Sequence, residues 1–307
     1  MNPISLLLAS LFTIVELNCE NLFDCQHDSL KNDYDFLPTS EKQWTPDRYW
    51  AKLNNIGREI ISCGEYDKLP DIVCLAEIEN DTVMRDLTKR SILRNAGYEY
   101  IMTNSNDERG IDVALLYQPT SFSIYNKVSL TVSHKDDERP TRDILHVSGE
   151  NIQGDTIEIF VVHFPSRRNG ERQTRSYRLR AANTIITRLD SISPQHSVVV
   201  TGDFNDYKDD ASLKEFYAKG FINTTRDAKG KNGAEGTYKY QGQWGSLDHI
   251  LIRGKIIERL KHTIINDQPF LMQGEGEKAM PRRTYRGNFY QKGFSDHLPL
   301  IATFQYE

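Results

Sequence analysis

Eight polar residues with catalytic or ion-binding side chains stand at the ends of apolar segments of this 307-residue chain. Taken singly, most of them are ordinary, because Asn and Asp commonly form turns after a strand. Asp248 is less ordinary, since a carboxylate inside Leu247-Asp248-His249-Ile250 must find a partner to be tolerated. The eight residues are Asn18, Glu77, His163, Asp203, Asn205, Asp248, Asp296 and His297.

Together these side chains are suited to the hydrolysis of a phosphate ester. Glu77, Asp296 and the Asn18 amide are hard oxygen ligands for Mg²⁺ or Mn²⁺, which would neutralise a phosphate oxygen and the leaving oxygen. His163 and Asn205 could donate hydrogen bonds to the equatorial oxygens of the phosphate as charge develops on them.

The remaining residues are candidates for moving a proton. Asp203 could accept a proton from water or hold the water in line, and His297 could be oriented by a buried Asp248. The sequence has no serine or cysteine nucleophile with a matching base, so direct attack by water is the simplest mechanism. Whether Asp203 or His297 activates the water is left open.

The motifs around these residues resemble those of the endonuclease/exonuclease/phosphatase family, the fold of deoxyribonuclease I and the abasic-site repair endonucleases. The resemblance spans about residues 12 to 304, and the motifs match in order and spacing. One departure is Ala76, where many members have Gln before the metal-binding Glu. The matching motifs are Glu-Leu-Asn-Cys-Glu-Asn-Leu-Phe at 16–23, Asp-Ile-Val-Cys-Leu-Ala-Glu at 71–77, Gly-Asp-Phe-Asn at 202–205, Ser-Leu-Asp-His-Ile at 246–250 and Ser-Asp-His at 295–297.

The resemblance implies an α/β sandwich of four layers, in which two mixed, mostly antiparallel sheets are flanked by helices. The site would lie between the sheets at one edge. The resemblance also implies divalent-metal-dependent cleavage, with Glu77 as principal metal ligand, Asn18 and Asp296 close to it, and Asp248 paired with His297.

Two further residues are assigned by this resemblance. His163 falls where the family has a His or a Tyr near the scissile phosphate. The segment 109–114, which begins with Arg109, resembles the family segment that borders the site. Arg109 and Asp112 are therefore predicted to contribute to substrate binding, and Asp112 is a candidate to orient His163. The alternative for Asp112 is a surface salt bridge.

Alternating strands and helices are predicted to position these residues. Val198-Val199-Val200 is the most apolar β-branched run and predicts a buried strand that ends near Asp203. Residues 26–44 and 228–245 predict loops, and the strand-helix-strand order of the first half recurs from about Ile157. Other strands are predicted at 12–18, 72–76, 111–117, 122–132, 142–147, 157–162, 247–252, 256–266 and 298–304, and helices at 45–63, 81–96, 174–189 and 213–218.

The composition predicts a soluble globular protein, since 38% of residues are hydrophobic and 26% are charged. No linker divides the chain, so residues 1–307 are predicted to form a single domain. The net charge of −5 excludes a generic polyanion binder but leaves room for a local basic patch. Cys19, Cys25, Cys63 and Cys74 lack zinc-binding spacing and are predicted to be free, mostly buried thiols.

The apolar run at residues 4–12 resembles part of a signal peptide, but it lacks a basic segment before it and a clear cleavage site. A cytoplasmic location is therefore favoured over a secreted or periplasmic one, with residues 1–11 as an extension or signal remnant. No other run is long enough to cross a bilayer, and a monomer is expected.

Two arginine clusters bear on the substrate. Arg167 and Arg168 directly follow the His163 segment and are predicted to bind phosphate, whereas the arginines of the following helix could instead form a solvated face. The clusters are Arg167, Arg168, Arg172, Arg175, Arg178 and Arg180, and Arg282, Arg283 and Arg286. Nearby aromatic residues could stack on bases, or on a sugar or lipid headgroup: Tyr238, Tyr240, Trp244, Tyr285, Phe289 and Tyr290.

Three functions remain as hypotheses. The first is an endonuclease that acts on nucleic acid. The second is a phosphatase or phosphodiesterase for inositol phosphates, phospholipid headgroups or other small phosphate esters. The third, an inactive phosphate-binding module, is disfavoured because the set of ligand, base and donor residues is intact.

Overall fold

The computed structural model describes residues 10–134, 139–168 and 170–306. Four α-helices lie at α1 (Pro46–Ser62), α2 (Asp81–Lys89), α3 (Glu171–Leu189) and α4 (Ala211–Ala218) within these ranges. The strands are β1 (Ser10–Leu22), β2 (Ile72–Ile78), β3 (Glu99–Met102), β4 (Asp112–Tyr117), β5 (Phe122–Leu130), β6 (Ile144–Asn151), β7 (Thr156–His163), β8 (Ser197–Asp203), β9 (Ile222–Asn223), β10 (Tyr238–Tyr240), β11 (Gln243–Gly245), β12 (Asp248–Arg253), β13 (Leu260–Ile265), β14 (Met272–Gln273), β15 (Met280–Pro281), β16 (Tyr285–Arg286), β17 (Phe289–Tyr290) and β18 (Leu300–Tyr306).

Most strands belong to two six-stranded sheets. The first has the order β13-β18-β1-β2-β4-β3 and the second the order β5-β6-β7-β8-β12-β9. Each sheet contains one parallel pair, β1 with β2 and β7 with β8, and its other pairs are antiparallel. A helix connects the strands of each parallel pair, because such strands need a long crossover. The predicted recurrence of strand, helix and strand is thus confirmed.

Three apolar clusters hold the layers together. One lies between the two sheets and includes Ile14, Cys74, Ile159 and Val199. The alternate residues of the first sheet pack on α1 and α2, and those of the second sheet pack on α3 and α4. This alternation follows from the two-residue period of a strand. The predicted four-layer α/β sandwich of two mixed sheets is confirmed.

Strand β1 brings polar residues into the space between the sheets. Phe12 and Ile14 lie in the inter-sheet cluster, whereas Val15 and Leu17 pack toward the helices. Glu16 and Asn18 continue the inward-facing series, and both are buried. The same strand that builds the core therefore delivers an amide to the edge of the sheets.

Several local predictions differ from the structure. Helix α2 ends at Lys89 rather than near Gly97, because Ser91 accepts a hydrogen bond from Leu93 N–H and starts a separate 3-10 turn at Ile92–Asn95. Strands β10 and β11 form a hairpin inside the predicted loop 228–245. Strand β3 was not predicted from the sequence.

Other predictions agree with the structure or lie outside it. All four cysteines are free, and Cys19, Cys63 and Cys74 are buried. Of the predicted extension at 1–11, residues 1–9 lie outside the described residues, and Ser10 begins β1. Within the described ranges, the helices are too short or too polar to span a membrane.

Candidate active site

A cleft of about 460 Å³ opens at the edge of the two sheets where both parallel strand pairs end. Asn18 and Asp248 are buried next to it, since Asn18 Nδ2 donates to Asp203 Oδ2 at 3.1 Å and Asp248 bonds to His297. The structure thus brings the eight predicted residues to one place. The residues predicted to act in catalysis, metal binding or phosphate binding that line the cleft directly are Glu77, His163, Asp203, Asn205, Asp296, His297, Arg109, Arg167 and Arg168.

A bulge in β2 turns Glu77 toward the cleft. Leu75 packs on the helices and Ala76 lies between the sheets, so regular alternation would point Glu77 toward the helices. The pairing register instead shifts between Ala76 and Ile78, and Glu77 has a φ of 63°. Its Oε2 accepts a hydrogen bond from Asn21 N–H at 2.7 Å, which fixes the carboxylate in this orientation.

His163 and Asp203 lie side by side because β7 and β8 approach closely. They are paired in the parallel register, and His163 Nε2 lies 3.7 Å from Asp203 Oδ2 and 3.7 Å from Glu77 Oε1. Gly202 permits this approach, since a Cβ atom there would lie 1.9 Å from Val162 O. The glycine before Asp203 is therefore a packing requirement of the site.

Asp203 is a buried carboxylate with several hydrogen bonds. Its Oδ1 accepts from Asn205 N–H at 2.7 Å, and its Oδ2 accepts from Asn18. Burial, followed by the negative charge of Asp248, raises the pKa of Asp203 to about 7, although the nearby His297 opposes this effect. Asp203 is thus able to take up a proton near neutral pH.

Asp248 and His297 form a buried pair. His297 Nδ1 lies 2.8 Å from Asp248 Oδ2, which also accepts a hydrogen bond from Thr237 Oγ1. Burial by itself would lower the pKa of His297. The nearby Asp248 carboxylate has the larger effect and raises the pKa of the imidazole well above 6.5. A protonated His297 would therefore present Nε2–H as a donor.

Glu16 is a second buried acid behind this pair. Neither of its carboxyl oxygens has a hydrogen-bond partner among the described residues. Burial, followed by repulsion from Asp248, raises the pKa of Glu16 well above 4.5. Burial and this repulsion both favour the protonated form of the Glu16 carboxyl.

His163 differs from His297 in its electrostatic environment. Burial, together with the positive charges of Arg142 and Arg109, lowers the pKa of His163 well below 6.5. Its Nδ1 has no hydrogen-bond partner among the described residues. The imidazole is neutral at pH 7 and can donate only one hydrogen bond.

Asn205 is held by its backbone conformation and by one hydrogen bond. It has a φ of 50°, which asparagine tolerates better than most residues, and its Nδ2 donates to Phe164 O at 3.0 Å. This bond joins the loop after β8 to the loop after β7.

Asp296 belongs to a charged network that the sequence did not indicate. Arg283 Nη2 lies 2.5 Å from Asp296 Oδ2, and Arg283 also lies near Glu20. Glu20 accepts a hydrogen bond from Thr284 N–H at 2.6 Å, and Thr284 Oγ1 receives one from the buried Lys52. The segment that carries Asp296 is thus tied to β1 and α1.

Two predicted assignments require correction. Asp112 does not orient His163: its Oδ1 accepts from Thr103 Oγ1 at 2.6 Å and from Ser105 N–H, and it lines a different cleft. Arg178 belongs neither to a basic rim nor to a solvated face, because it is fully buried and its Nε lies 2.6 Å from Asp206 Oδ1.

Arg109, Arg167 and Arg168 line the cleft, whereas the other arginines of the two predicted clusters do not. Arg167 lies on its wall, where Nη1 is 2.6 Å from Asp210 Oδ2 and the guanidinium stacks 4.9 Å from the ring of Tyr207. Arg109 Nη2 donates to Asn21 Oδ1 at 2.7 Å. Three tyrosines complete the wall: Tyr207, Tyr238 and Tyr240.

Thr237 and Glu16 are the main site residues that were not assigned from the sequence, and Arg283, predicted as part of a basic cluster, instead pairs with Asp296. Thr237 directly precedes the tyrosine hairpin, and nothing in its local pattern marks it as the partner of Asp248. Glu16 could have been noticed from the sequence, because an acid within the apolar run at 12–17 is unusual for a buried strand.

Two sets of side chains in the site have the chemistry to hold a cation. Among the described residues, Asp203, Asp248 and His297 place one ligand atom each within 4.8 Å of one another. His297 and Asp248 already share a hydrogen bond, however. Glu77 and Asp296 line the open cleft and supply only oxygen atoms, which suits a hard cation such as Mg²⁺.

Comparison with known proteins yields one family and many similar folds. Residues 13–305 match the model described as Endonuclease/Exonuclease/phosphatase family, and no curated protein sequence matches the chain. A Bacteroides vulgatus endonuclease/exonuclease/phosphatase structure has a TM-score of 0.65 at 15% identity and covers 97% of this chain and 100% of its own.

Two further structures with a similar fold belong to particular named proteins. A Bacteroides thetaiotaomicron mannosyl-6-phosphatase has a TM-score of 0.62 at 16% identity, covering 96% of this chain and 100% of its own. TDP2 from C. elegans has a TM-score of 0.59 at 15% identity, covering 96% of this chain and 75% of its own. At these identities the likeness establishes the fold alone.

Proposed function

Because the chain belongs to the endonuclease/exonuclease/phosphatase family, we propose that it hydrolyses a phosphodiester of a nucleic acid by attack of water, with Mg²⁺ or Mn²⁺ as cofactor. The observation that most supports this proposal is the convergence at one cleft of acids, amides and imidazoles from segments far apart in the chain.

Glu77 and Asp296 are the proposed metal ligands, with the Asn18 amide close to them. When bound, the cation would neutralise charge on a phosphate oxygen and on the leaving oxygen. The fixed orientation of Glu77 by Asn21 N–H supports this role, because a preorganised carboxylate loses little conformational freedom on binding.

Asp203 is the proposed base. A pKa of about 7 allows it to accept a proton from water and still be ionised in much of the population near neutral pH. His297 is less suitable as a base, since the adjacent Asp248 favours its protonated form. We assign it to hydrogen bonding with a phosphate oxygen or protonation of the leaving oxygen.

The other polar residues are proposed to bind the phosphate. Neutral His163 and the amide of Asn205 can donate hydrogen bonds, and neither adds a negative charge. Arg167 and Arg168 also line the cleft, and their guanidinium groups can donate hydrogen bonds to phosphate oxygens.

The nucleic acid is proposed on the basis of the walls of the cleft. Tyr207, Tyr238 and Tyr240 line the cleft together with Arg109, Arg167 and Arg168, which suits a strand whose bases contact the rings and whose phosphates contact the guanidinium groups. The second candidate is a phosphatase for a small phosphate ester, since tyrosine rings stack on sugars as well. The likeness in fold to a mannosyl-6-phosphatase favours testing it.

Substitution of Glu77 tests the hydrolytic function. Glu77→Ala is expected to abolish Mg²⁺- or Mn²⁺-dependent hydrolysis while circular dichroism and thermal unfolding show an intact fold. Glu215→Ala, on the exposed surface of α4, is the matched control and should behave as wild type. Wild-type turnover by the Glu77→Ala protein would refute the assigned metal site.

The substrate is tested with a panel of plasmid DNA, abasic DNA, RNA, inositol phosphates, mannose 6-phosphate and a bis-aryl phosphate, each with either metal. The proposal expects cleavage of at least one nucleic acid and of the bis-aryl ester. Rapid hydrolysis of a sugar or inositol phosphate without any nucleic acid cleavage would instead establish the second candidate.

A further inference from the structure

Arg283 is a cation placed between two acids beside the active-site cleft. Its Nη2 lies 2.5 Å from Asp296 Oδ2, and its Nε lies 3.5 Å from Glu20 Oε1. Asp296 lines the active-site cleft, whereas Arg283 lines a smaller neighbouring cleft of about 200 Å³. Because a guanidinium does not lose its proton in proteins, the positive charge beside Asp296 is permanent.

A buried lysine holds together the two stretches of chain that carry Arg283 and Asp296. Lys52 of α1 is buried, and its Nζ donates to Thr284 Oγ1 at 2.6 Å and also to Phe294 O. Thr284 directly follows Arg283, and Phe294 stands two residues before Asp296. The backbones on the two sides of the ion pair are therefore fixed relative to each other.

Gly293 brings the same two stretches into close contact. A Cβ atom added at Gly293 would lie 2.0 Å from Arg283 O and 2.1 Å from Arg282 O, so another residue would require a shift of the backbone. Phe294 N–H also donates to Arg282 O at 2.6 Å. The backbone thus keeps the two charges together, and only a rotation of the side chains would separate them.

The guanidinium of Arg283 and a divalent cation have opposing demands on the same carboxylate. Asp296 and Glu77 line the cleft as the proposed metal ligands. A carboxylate oxygen that accepts a short charge-assisted hydrogen bond has less negative charge to offer a metal ion. The positive charge of Arg283 also repels a divalent cation bound to Asp296.

We propose that Arg283 competes with the divalent cation for Asp296 and thereby weakens metal binding. This inference rests on the proposed function, since it takes Asp296 as a metal ligand. Arg283 tunes the metal site and is not a catalytic residue, because it does not line the active-site cleft. The concentration of free metal ion that fills the site is then set by this ion pair.

Binding of Mn²⁺ alone tests the competition, with electron paramagnetic resonance of the free ion as the readout. Arg283→Gln should lower the Kd for Mn²⁺ about tenfold, because it removes a unit charge close to a divalent ion and frees Asp296 Oδ2. The Arg283 side chain is 35% exposed, so its replacement leaves the core intact, which thermal unfolding checks. Arg283→Lys keeps a charge without the planar fork and should give an intermediate Kd.

Arg286→Gln is the matched control, because it removes one arginine charge from the same segment. Arg286 is exposed on β16 and lines neither cleft, so the Kd of this variant should equal that of wild type. A double-mutant cycle tests whether the effect acts through the carboxylate. In the Asp296→Asn background, Arg283→Gln should lose most of its tenfold effect.

A Kd for Arg283→Gln that equals or exceeds that of wild type would overturn the inference, as would a full tenfold effect in the Asp296→Asn background. If Arg283→Gln proves unstable, a wild-type Kd for Arg283→Lys would have the same meaning. The binding experiment contains no phosphate ester, so it separates this inference from the proposed function. Tighter Mn²⁺ binding by Arg283→Gln without hydrolysis of any ester by the wild-type protein would support the competition and refute the proposed function.

Discussion

Asp248 receives two hydrogen bonds on one oxygen atom, from His297 and from Thr237. The threonine is fully buried, so this bond does not compete with water. It restricts rotation of the carboxylate and thereby fixes the plane of the His297 imidazole, which leaves Nε2 facing the cleft. In the proposed reaction Thr237 would therefore act as a positioning residue, since it is not among the residues that line the cleft.

Thr237→Val should lower kcat about tenfold with little change in KM, because loss of one hydrogen bond to a buried carboxylate costs about 1.5 kcal/mol or more. Thr237→Ser keeps the hydroxyl and should retain near wild-type kcat. Steady-state kinetics on the bis-aryl phosphate give both values. Equal kcat values for the valine and serine variants would show that the hydroxyl does not position Asp248.

Positive backbone angles occur at several polar residues around the cleft. Glu20, Asn21, Glu77 and Asn205 all have φ between 48° and 63°. Such conformations cost roughly 1 kcal/mol each for residues other than glycine, so the surrounding hydrogen bonds must offset them. Two hydrogen bonds that help to offset this cost run from Asn21 N–H to Glu77 and from Asn205 N–H to Asp203.

The parallel pair β7 and β8 is the central element of the site. Its register sets His163 beside Asp203, and β12 pairs with β8 so that Asp248 lies opposite Asp203. The loops that follow the two strands are joined by buried Arg178, which bonds to Asp206 and lies within hydrogen-bonding distance of Pro165 O. This ion pair connects α3 to both loops.

Gly202→Ala should lower the free energy of unfolding by about 3 kcal/mol or more, because a Cβ atom there meets the backbone of Val162. Gly220→Ala is the matched control: Gly220 also has a positive φ, but no atom lies within 4 Å of its added Cβ. Gly220→Ala should lower the free energy of unfolding by only about 1 kcal/mol. Urea unfolding measures both, and equal losses would exclude close strand packing as the reason for Gly202.

The molecule also holds buried charged groups in hydrogen-bond networks away from the cleft. One such network lies beneath α3, where Glu158 bonds to His146 at 2.8 Å, Ser148 at 2.6 Å and His196 at 2.8 Å. Although burial opposes its charge, these hydrogen bonds lower the pKa of Glu158 to about 2.

This lowered pKa predicts how stability depends on pH. The unfolded chain binds a proton at Glu158 below about pH 4.5, whereas the folded protein does so only near pH 2. The contribution of Glu158 is therefore complete at pH 7 and is lost as the pH falls through this window. The difference in unfolding free energy between wild type and Glu158→Gln should shrink by about 2 kcal/mol between pH 7 and pH 3.

Urea unfolding at several pH values measures this difference. Glu150→Gln, at an exposed position of β6, is the control and should give a pH profile parallel to that of wild type. A difference between wild type and Glu158→Gln that does not change with pH would mean that Glu158 is not preferentially ionised in the folded protein.

Much of the fold follows from patterns that are local in the sequence. The β-branched run before Asp203 and the alternation of β1 are consequences of the strand period, and Thr45-Pro46 marks the start of α1. The pattern of strands and helices predicted two packed sheets with helices outside, and the motifs that resemble a known family predicted the four-layer sandwich. Motif order and spacing likewise identified the polar residues that meet at the cleft.

Only the tertiary structure decided how these residues are oriented and which other residues hold them. The bulge at Glu77, the contact of Thr237 with Asp248 and the pairing of Arg283 with Asp296 join segments whose contact leaves no local pattern. The same holds for Asp112 and Arg178, whose sequence context fits a site or a surface equally well. Side-chain chemistry is encoded residue by residue, whereas burial and charge environment depend on segments that meet only after folding.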